Sequence, residues 1–286
     1  MTRLFNVSDG IGLSLMRITI GTSDFTPPPY YSYDDSITPD PSLSNFSVAA
    51  DESFVLPCIR HALSAQPEVS QPPLKHNRKA LTFCPQLLLF ASPWSAPAWM
   101  KEGGAMQGGW LKQEYYDAYA RYLLKFIQDY AAHGVSLHAI TVQNEPLSVN
   151  ARYPTTLMLP RAQIEIIAQH VGPLLLNHSS GVRIWGWDHN FDGGLMEYPQ
   201  QLLRSAAREY IDGIAFHNYA GGPAAFTHRN RLSTIKHVTL ARRLRVFYVP
   251  LAPRVPLPQH LFHRGLCVRH RRRALHRAVR LALPSL

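Results

Sequence analysis

His138-Ala-Ile-Thr-Val-Gln-Asn-Glu-Pro146 decides the fold of this 286-residue chain. An apolar, β-branched run rises to a polar tip, Gln143-Asn144-Glu145. Pro146 ends the run, because proline has no N–H with which to continue a buried ladder. A carboxylate at the C-terminal tip of a buried parallel strand lies where α/β barrels keep their chemistry. A lone Glu is more often a solvated turn residue, so the reading depends on what flanks it.

Working upstream, Tyr115 to Ala132 predicts a helix, with Tyr119, Tyr122, Leu123, Phe126, Ile127 and Tyr130 at the 3, 4, 7 spacing. Before it lies a glycine-rich loop, Gly103 to Trp110. Leu87-Leu-Leu-Phe-Ala-Ser92 is a continuous apolar run, as expected of a strand covered on both faces. It ends in Pro93-Trp94-Ser95-Ala96-Pro97-Ala98-Trp99-Met100-Lys101. Phe54 to Leu63 predicts a short helix or turn. Thr26 to Asp35 is a loop rich in Pro and Tyr. Gly12 to Gly21 alternates like a strand, with Arg17 embedded and Asp24 just past its end.

Downstream, Pro160 suits a first helical turn, and Ile164, Ile167, Ala168, Val171 and Leu175 form the apolar face that follows. Gly181 to Trp187 is a strand running into Asp188-His189-Asn190. Tyr198 to Tyr210 predicts a helix. Gly213 to Phe216 is a strand running into His217-Asn218-Tyr219. Strand–helix alternation implies βαβ units and a parallel sheet. Polar or aromatic clusters at the tip of every strand point to a barrel; a doubly wound sheet gathers ligands at one switch point. The glycines after the strands have no phosphate-binding spacing.

Charge divides the chain. Residues 213–286 hold thirteen Arg and one Lys with no Asp or Glu, while residues 1–212 hold 15 basic and 19 acidic side chains. A mildly acidic body therefore precedes a basic tail. No apolar run reaches the length of a membrane span, and Met1 to Gly10 lacks the apolar core of a signal peptide. Cys58, Cys84 and Cys267 have no metal spacing, and the histidines lack it too, so no metal or cofactor is expected.

Carboxylates flanked by Trp, Tyr, His and Asn suit a sugar: aromatic faces stack on a pyranose while Asp, Asn and Arg bind its hydroxyls. Glycosidic cleavage takes two carboxylates, an acid and a nucleophile or base. Ser92 to Lys101, Thr141 to Pro146, Ile184 to Asn190 and Gly213 to Tyr219 resemble glycoside hydrolase family 30, of the glucosylceramidase type. Met16 to Gly21 with Asp24, and Tyr31 to Asp35, match in order. The resemblance spans roughly residues 10–225. It implies a retaining β-glycosidase on a (β/α)8 barrel acting on glucosylceramide or a related β-glycoside. Position by position, Glu145 resembles the acid/base, and Asp24, Trp94 and Asn144 resemble glucose-binding residues. His217 and Tyr219 resemble the pair bordering the nucleophile. Arg17 resembles the bracing arginine, and Asp188 the tip residue of the fifth strand. Contact with a membrane surface through a lipid substrate and an extracellular or lysosome-like location follow from the same resemblance. Asn6, Asn45 and Asn177 open N-x-S triplets consistent with it.

The chain departs from the family where the nucleophile belongs. Ile235 to Leu240 begins like the seventh strand, yet the last Glu is Glu209 and the last Asp is Asp212. The expected architecture is α/β, a partial barrel of strands two to six over residues 1–225, with an insertion at 64–84. A basic tail of 226–286, disordered or out of frame, would follow. A late start, a retained intron and a frame change near Leu240 would produce this. The competing classes are a sugar-binding pseudoenzyme or non-functional fragment, and binding of nucleic acid or membrane by the basic tail. No nucleic-acid-binding fold is recognisable, so no nucleic-acid partner is expected.

Overall fold

The structure, a computed structural model, describes residues 1–6, 8–66, 87–191, 197–221 and the strand 245–248. Six strands form one sheet: β1 (Leu15–Ile20), β2 (Leu88–Pro93), β3 (Ala139–Thr141), β4 (Arg183–Asn190), β5 (Ile211–His217) and β6 (Arg245–Tyr248). Their order in the sheet is their order in the chain, and every neighbouring pair is parallel. Sequential parallel order is what βα units give when each crossover packs on the same face. The helices are α1 (Thr2–Phe5), α2 (Ala49–Glu52), α3 (Val55–Ser64), α4 (Tyr116–Ala132), α5 (Pro160–Glu165), α6 (Gly172–Asn177) and α7 (Glu197–Arg204). Among the described residues no helix is long and apolar enough to cross a membrane.

The sheet carries two cores. Outside it, α4 buries Tyr119, Tyr122, Leu123, Phe126, Ile127 and Tyr130 in the main cluster, on the face its periodicity predicts. Inside it, Leu15, Phe90, Ala139, Trp185 and Ala215 form a separate cluster, one residue from each of β1 to β5. Side chains alternate with period two along a strand. Two residues beyond that apolar layer stand Arg17, Ser92, Thr141 and His217, all buried. On β4 the corresponding inward residue is Asp188, three beyond Trp185, because the register with β5 slips between Trp187 and His189. Trp187 and Asp188 have φ of 73° and 62° there. The bulge turns Asp188 inward and leaves Trp187 in the outer layer against Tyr198 of α7, ring centroids 4.8 Å apart.

The sheet is curled. Arg17 of β1 and Asp188 of β4 meet at 2.7 Å although two strands separate them. In a flat sheet those strands would stand about 14 Å apart, beyond the reach of the two side chains. The arc of a barrel brings them together.

Several details differ from the sequence expectations. The central strand is short, Ala139–Thr141, and its polar tip runs on as irregular backbone. The helix read over Tyr198–Tyr210 stops at Arg204, and a 3-10 turn, Ala206–Glu209, follows a Ser205 cap. Between α5 and α6 the chain makes a π-helical turn, Ile166–Val171. The wider turn lets the adjacent Ile166 and Ile167 both be buried. β6 falls inside the segment read as a basic tail. Of the insertion read at 64–84, Ser64 ends α3 and Gln66 Nε2 donates to the Leu13 carbonyl at 3.0 Å, so its start belongs to the body; residues 67–84 and the strand-like Ile235 to Leu240 lie outside the described residues.

Candidate active site

The polar layer is a continuous network. Arg17 Nη2 donates to Asp188 Oδ2 and to Asn144 Oδ1, both at 2.7 Å, and its Nε donates to Ser92 Oγ at 3.2 Å. Thr141 Oγ1 lies 2.7 Å from Ser92 Oγ and 2.8 Å from Asp188 Oδ2. Each hydroxyl has one proton, and one assignment uses them all. Ser92 accepts from Arg17 and donates to Thr141, which donates to Asp188. The Arg17 guanidinium also lies over the Trp94 ring, 4.6 Å from its centroid.

His217 joins this network to Glu145. Its Nε2 faces Asp188 Oδ1 at 2.9 Å and its Nδ1 faces Glu145 Oε1 at 2.8 Å. Only the imidazolium has a donor at both nitrogens. Burial pushes the His217 pKa down, but the bonds to Asp188 and Glu145 outweigh it and hold the ring above its ordinary value. Burial likewise raises both carboxylates, yet Arg17 and His217 keep Asp188 well below the usual carboxylate range, and His217 keeps Glu145 lowered. Two cations and two anions then balance in a largely buried site.

The two carboxylates differ in access. The Asp188 side chain is fully enclosed, whereas that of Glu145 retains 19% exposure. Glu145 is held by its backbone as well: its N–H donates to the Asp188 carbonyl at 2.9 Å, with φ at 43°. Non-glycine residues in the left-handed region cost on the order of 1–3 kcal/mol each and gather where function holds them. Glu145, Trp187 and Asp188 are three such residues around one site.

The remaining predicted residues divide between wall and rim. Trp94 and Asn144 are buried. Asn144 N–H donates to the Pro93 carbonyl at 2.8 Å, and Gln143 Nε2 donates to the Trp94 carbonyl at 2.8 Å, so the tips of β2 and β3 are tied together. Tyr219 is exposed, with its ring edge-on to His217 at 6.1 Å, and its N–H bonds to Asn190 Oδ1 at 3.0 Å. Partial burial and the charges of Asp24 and Glu145 push its hydroxyl up to about 12. Asp24, itself exposed, therefore shares that rim. Ser92 and Thr141 were missed by sequence reading, and Gln143 was noted only as part of the polar tip. Their signal was positional: Ser92 and Thr141 stand two residues beyond Phe90 and Ala139 in strands whose tips had already been singled out. Among the described residues no three His, Cys, Asp or Glu side chains gather into a metal-binding group.

Comparison with known proteins follows the same lines. The Glycosyl hydrolase family 30 TIM-barrel domain matches residues 1–239. An endo-1,6-beta-D-glucanase of Trichoderma harzianum is 35% identical over 224 residues, covering 74% of this chain and 41% of that protein. The lysosomal acid glucosylceramidase of Mus musculus is 31% identical over 231 residues, covering 77% and 41%. Among solved structures, an endo-beta1,6-glucanase superposes with a TM-score of 0.68 at 26% identity, covering 87% of this chain and 51% of that one. The chain thus spans about two fifths of the length of the curated relatives it matches.

Proposed function

The chain belongs to glycosyl hydrolase family 30, and we propose that its strand tips form a β-glucoside site in which Glu145 is the acid/base. The observation that carries this is the unequal placing of the two carboxylates. Glu145 is the one a substrate can reach, and it hangs on a charged histidine. A proton shift from His217 Nδ1 to Glu145 Oε1 along their 2.8 Å bond turns the ion pair into a neutral acid beside a neutral imidazole. The Nε2–H bond to Asp188 survives the shift. The acid could then protonate a leaving glycosidic oxygen. With its Oδ1 taken by Arg17, Asn144 offers its NH2 group to a sugar hydroxyl. Trp94, Asp24 and Tyr219 complete the pocket, and Arg17 and Asp188 brace it.

Residues 213–286 contain no Asp or Glu and so offer no second carboxylate for a double displacement. Asp188 is an unsuitable substitute, being enclosed and fully hydrogen-bonded. The reading is therefore a retaining β-glycosidase site lacking its nucleophile, which binds and protonates but forms no glycosyl-enzyme. Losing one member of such a pair costs on the order of 10⁴ or more in turnover, by analogy with other covalent enzymes.

A β-1,6-linked glucan is the preferred substrate class, supported by the higher identity to endo-1,6-glucanases. Glucosylceramide is the second reading, supported by the mouse relative. An extracellular or lysosome-like location goes with either.

An aryl β-glucoside tests the proposal, with and without azide. Azide attacks C1, the aryloxide leaves with a proton from Glu145, and α-glucosyl azide forms. The expected result is no release in buffer, and the α-azide with azide present. Full turnover in buffer sinks the missing-nucleophile reading. No azide product and no glucoside binding sink the site itself.

A further inference from the structure

A cleft of about 430 Å³ lies beside the glycine-rich loop and takes no part in the network above. Glu102, Trp110, Lys112, Gln113, Glu114 and Tyr116 line it. Trp110 is 56% exposed there. A single exposed apolar residue needs no explanation, but this one is held out on a rigid support.

The loop is closed at its base by an antiparallel bridge between Lys101 and Leu111, and Glu102 N–H donates to the Trp110 carbonyl at 2.9 Å. Gly109 has φ of 64°, and a Cβ on it would lie 2.5 Å from the Glu102 carbonyl oxygen. Only glycine fits so tight a turn. Inside the loop the buried Lys101 ammonium spends its three protons on Ser95 Oγ at 2.9 Å and on the Met106 and Thr155 carbonyls at 2.7 Å. Trp110 is thus presented at little further cost in order, as a preorganised contact should be.

The same support reaches Glu145. Leu157 N–H donates to the Gly109 carbonyl at 2.9 Å, and Met158 N–H donates to the Pro146 carbonyl at 2.7 Å. Two backbone bonds therefore connect the Trp110 strand to the residue after Glu145.

We propose that the Trp110 cleft is a second sugar platform, which binds a glucose unit of a chain-form β-glucan away from the unit at Glu145. An indole face stacks on a pyranose, and the Glu102 and Glu114 carboxylates accept from its hydroxyls. Glu102 and Glu114 outnumber the one cation of the lining, Lys112, so the cleft suits a neutral, hydroxyl-rich ligand better than an anionic lipid surface. The choice of glucan rests on the function proposed above; the platform itself does not require Glu145.

Calorimetry with a β-1,6-linked glucose hexasaccharide and with methyl β-glucoside tests this on the wild type, Trp110→Ala and Trp110→Phe. The expected outcome is an about tenfold weaker hexasaccharide in Trp110→Ala, as for loss of one stacking contact. Trp110→Phe should fall between, and methyl β-glucoside should be unchanged throughout. Equal hexasaccharide affinity in wild type and Trp110→Ala overturns the proposal. So does a Trp110-dependent binding to glucosylceramide vesicles without one to the hexasaccharide. Trp110-dependent hexasaccharide binding with no methyl β-glucoside binding upholds the platform and fails the Glu145 site. No binding of either sugar fails both.

Discussion

Arg17 is the residue on which the polar layer depends. It neutralises an Asp188 that no water reaches, fixes Asn144 and starts the hydroxyl chain through Ser92 and Thr141. Removing one partner of a buried ion pair costs about 3–5 kcal/mol, because the other charge stays buried and unpaired. Arg17→Met should lower stability by that amount in urea denaturation, and a loss under 1 kcal/mol would show that the layer is wetter than it looks. Asp34 poses the opposite problem. Its carboxyl is enclosed, and among the described residues neither oxygen has a hydrogen-bond partner within bonding distance, while Trp99 Nε1 donates to the Asp34 carbonyl at 3.0 Å. Burial, and then the charges of Asp40 and Asp35, push it up to about 6. A carboxyl raised on folding is best tolerated protonated, so stability falls as pH rises from the ordinary carboxylate value toward 6 and is level above it. Asp34→Asn should melt with the wild type at pH 4 and a few degrees above it at pH 7, by scanning calorimetry. A constant gap across that range would remove Asp34 from the pH response. Arg17 was legible in the sequence because a charge in an apolar strand must find a partner. Asp34 was not, because an orphaned acid in a loop looks like any solvated one.

Among the elements, β2, β5 and α4 follow their sequence patterns closely, since each has many apolar positions to set its phase, whereas β4 runs on to Asn190, past the Trp187 at which its pattern stops. The π turn at Ile166–Val171 had no such signature: Ile164, Ile167, Val171 and Leu175 fit an ordinary helix equally well. What forces the wide turn is the contact that follows. A Cβ on Gly172 would lie 2.2 Å from Tyr210 Cγ and 2.6 Å from the Ile167 carbonyl oxygen. The helix runs that close to the turn before β5. Gly172→Ala should therefore destabilise by about 1–3 kcal/mol, the cost of overpacking, whereas the same change in an exposed helix would stabilise. Thermal melting separates the two by sign. The bulge on β4 was equally hidden, because Trp-Gly-Trp-Asp-His-Asn alternates in no clear way. Its residues were singled out for their chemistry, and the bulge explains why Asp188 rather than Trp187 joins the site.

At the scale of the whole molecule, the strand order was legible because βα alternation leaves few topologies, and the barrel curvature because every strand ended in a functional cluster. The stretch beyond β5 was not, since its composition changes before any period establishes itself. The family match stops at residue 239, and residues 213–286 contain no acid. Transcript sequencing across codons 230–286 tests the missing-nucleophile reading, and reads that place a frame change near Leu240 and restore a Glu after the seventh strand would overturn it. Reads that reproduce the arginine-rich sequence would make it the protein's own and leave Glu145 without a catalytic partner.

The slip on β4 also bears on insertions and deletions. Between Trp187 and His189 the strand carries one residue more than β5 matches there, and that surplus is spent outward, where Trp187 wedges against α7. Excising Trp187 would bring Asp188 to the second position after Trp185, where plain alternation already points inward. The polar layer would keep its acid, and the loss would fall on the helix side as an empty space the size of an indole. A change of chain length in the middle of a strand, usually fatal to every residue beyond it, is here a local defect: an empty space, and the loss of the bond from Trp187 N–H to Gln163 Oε1.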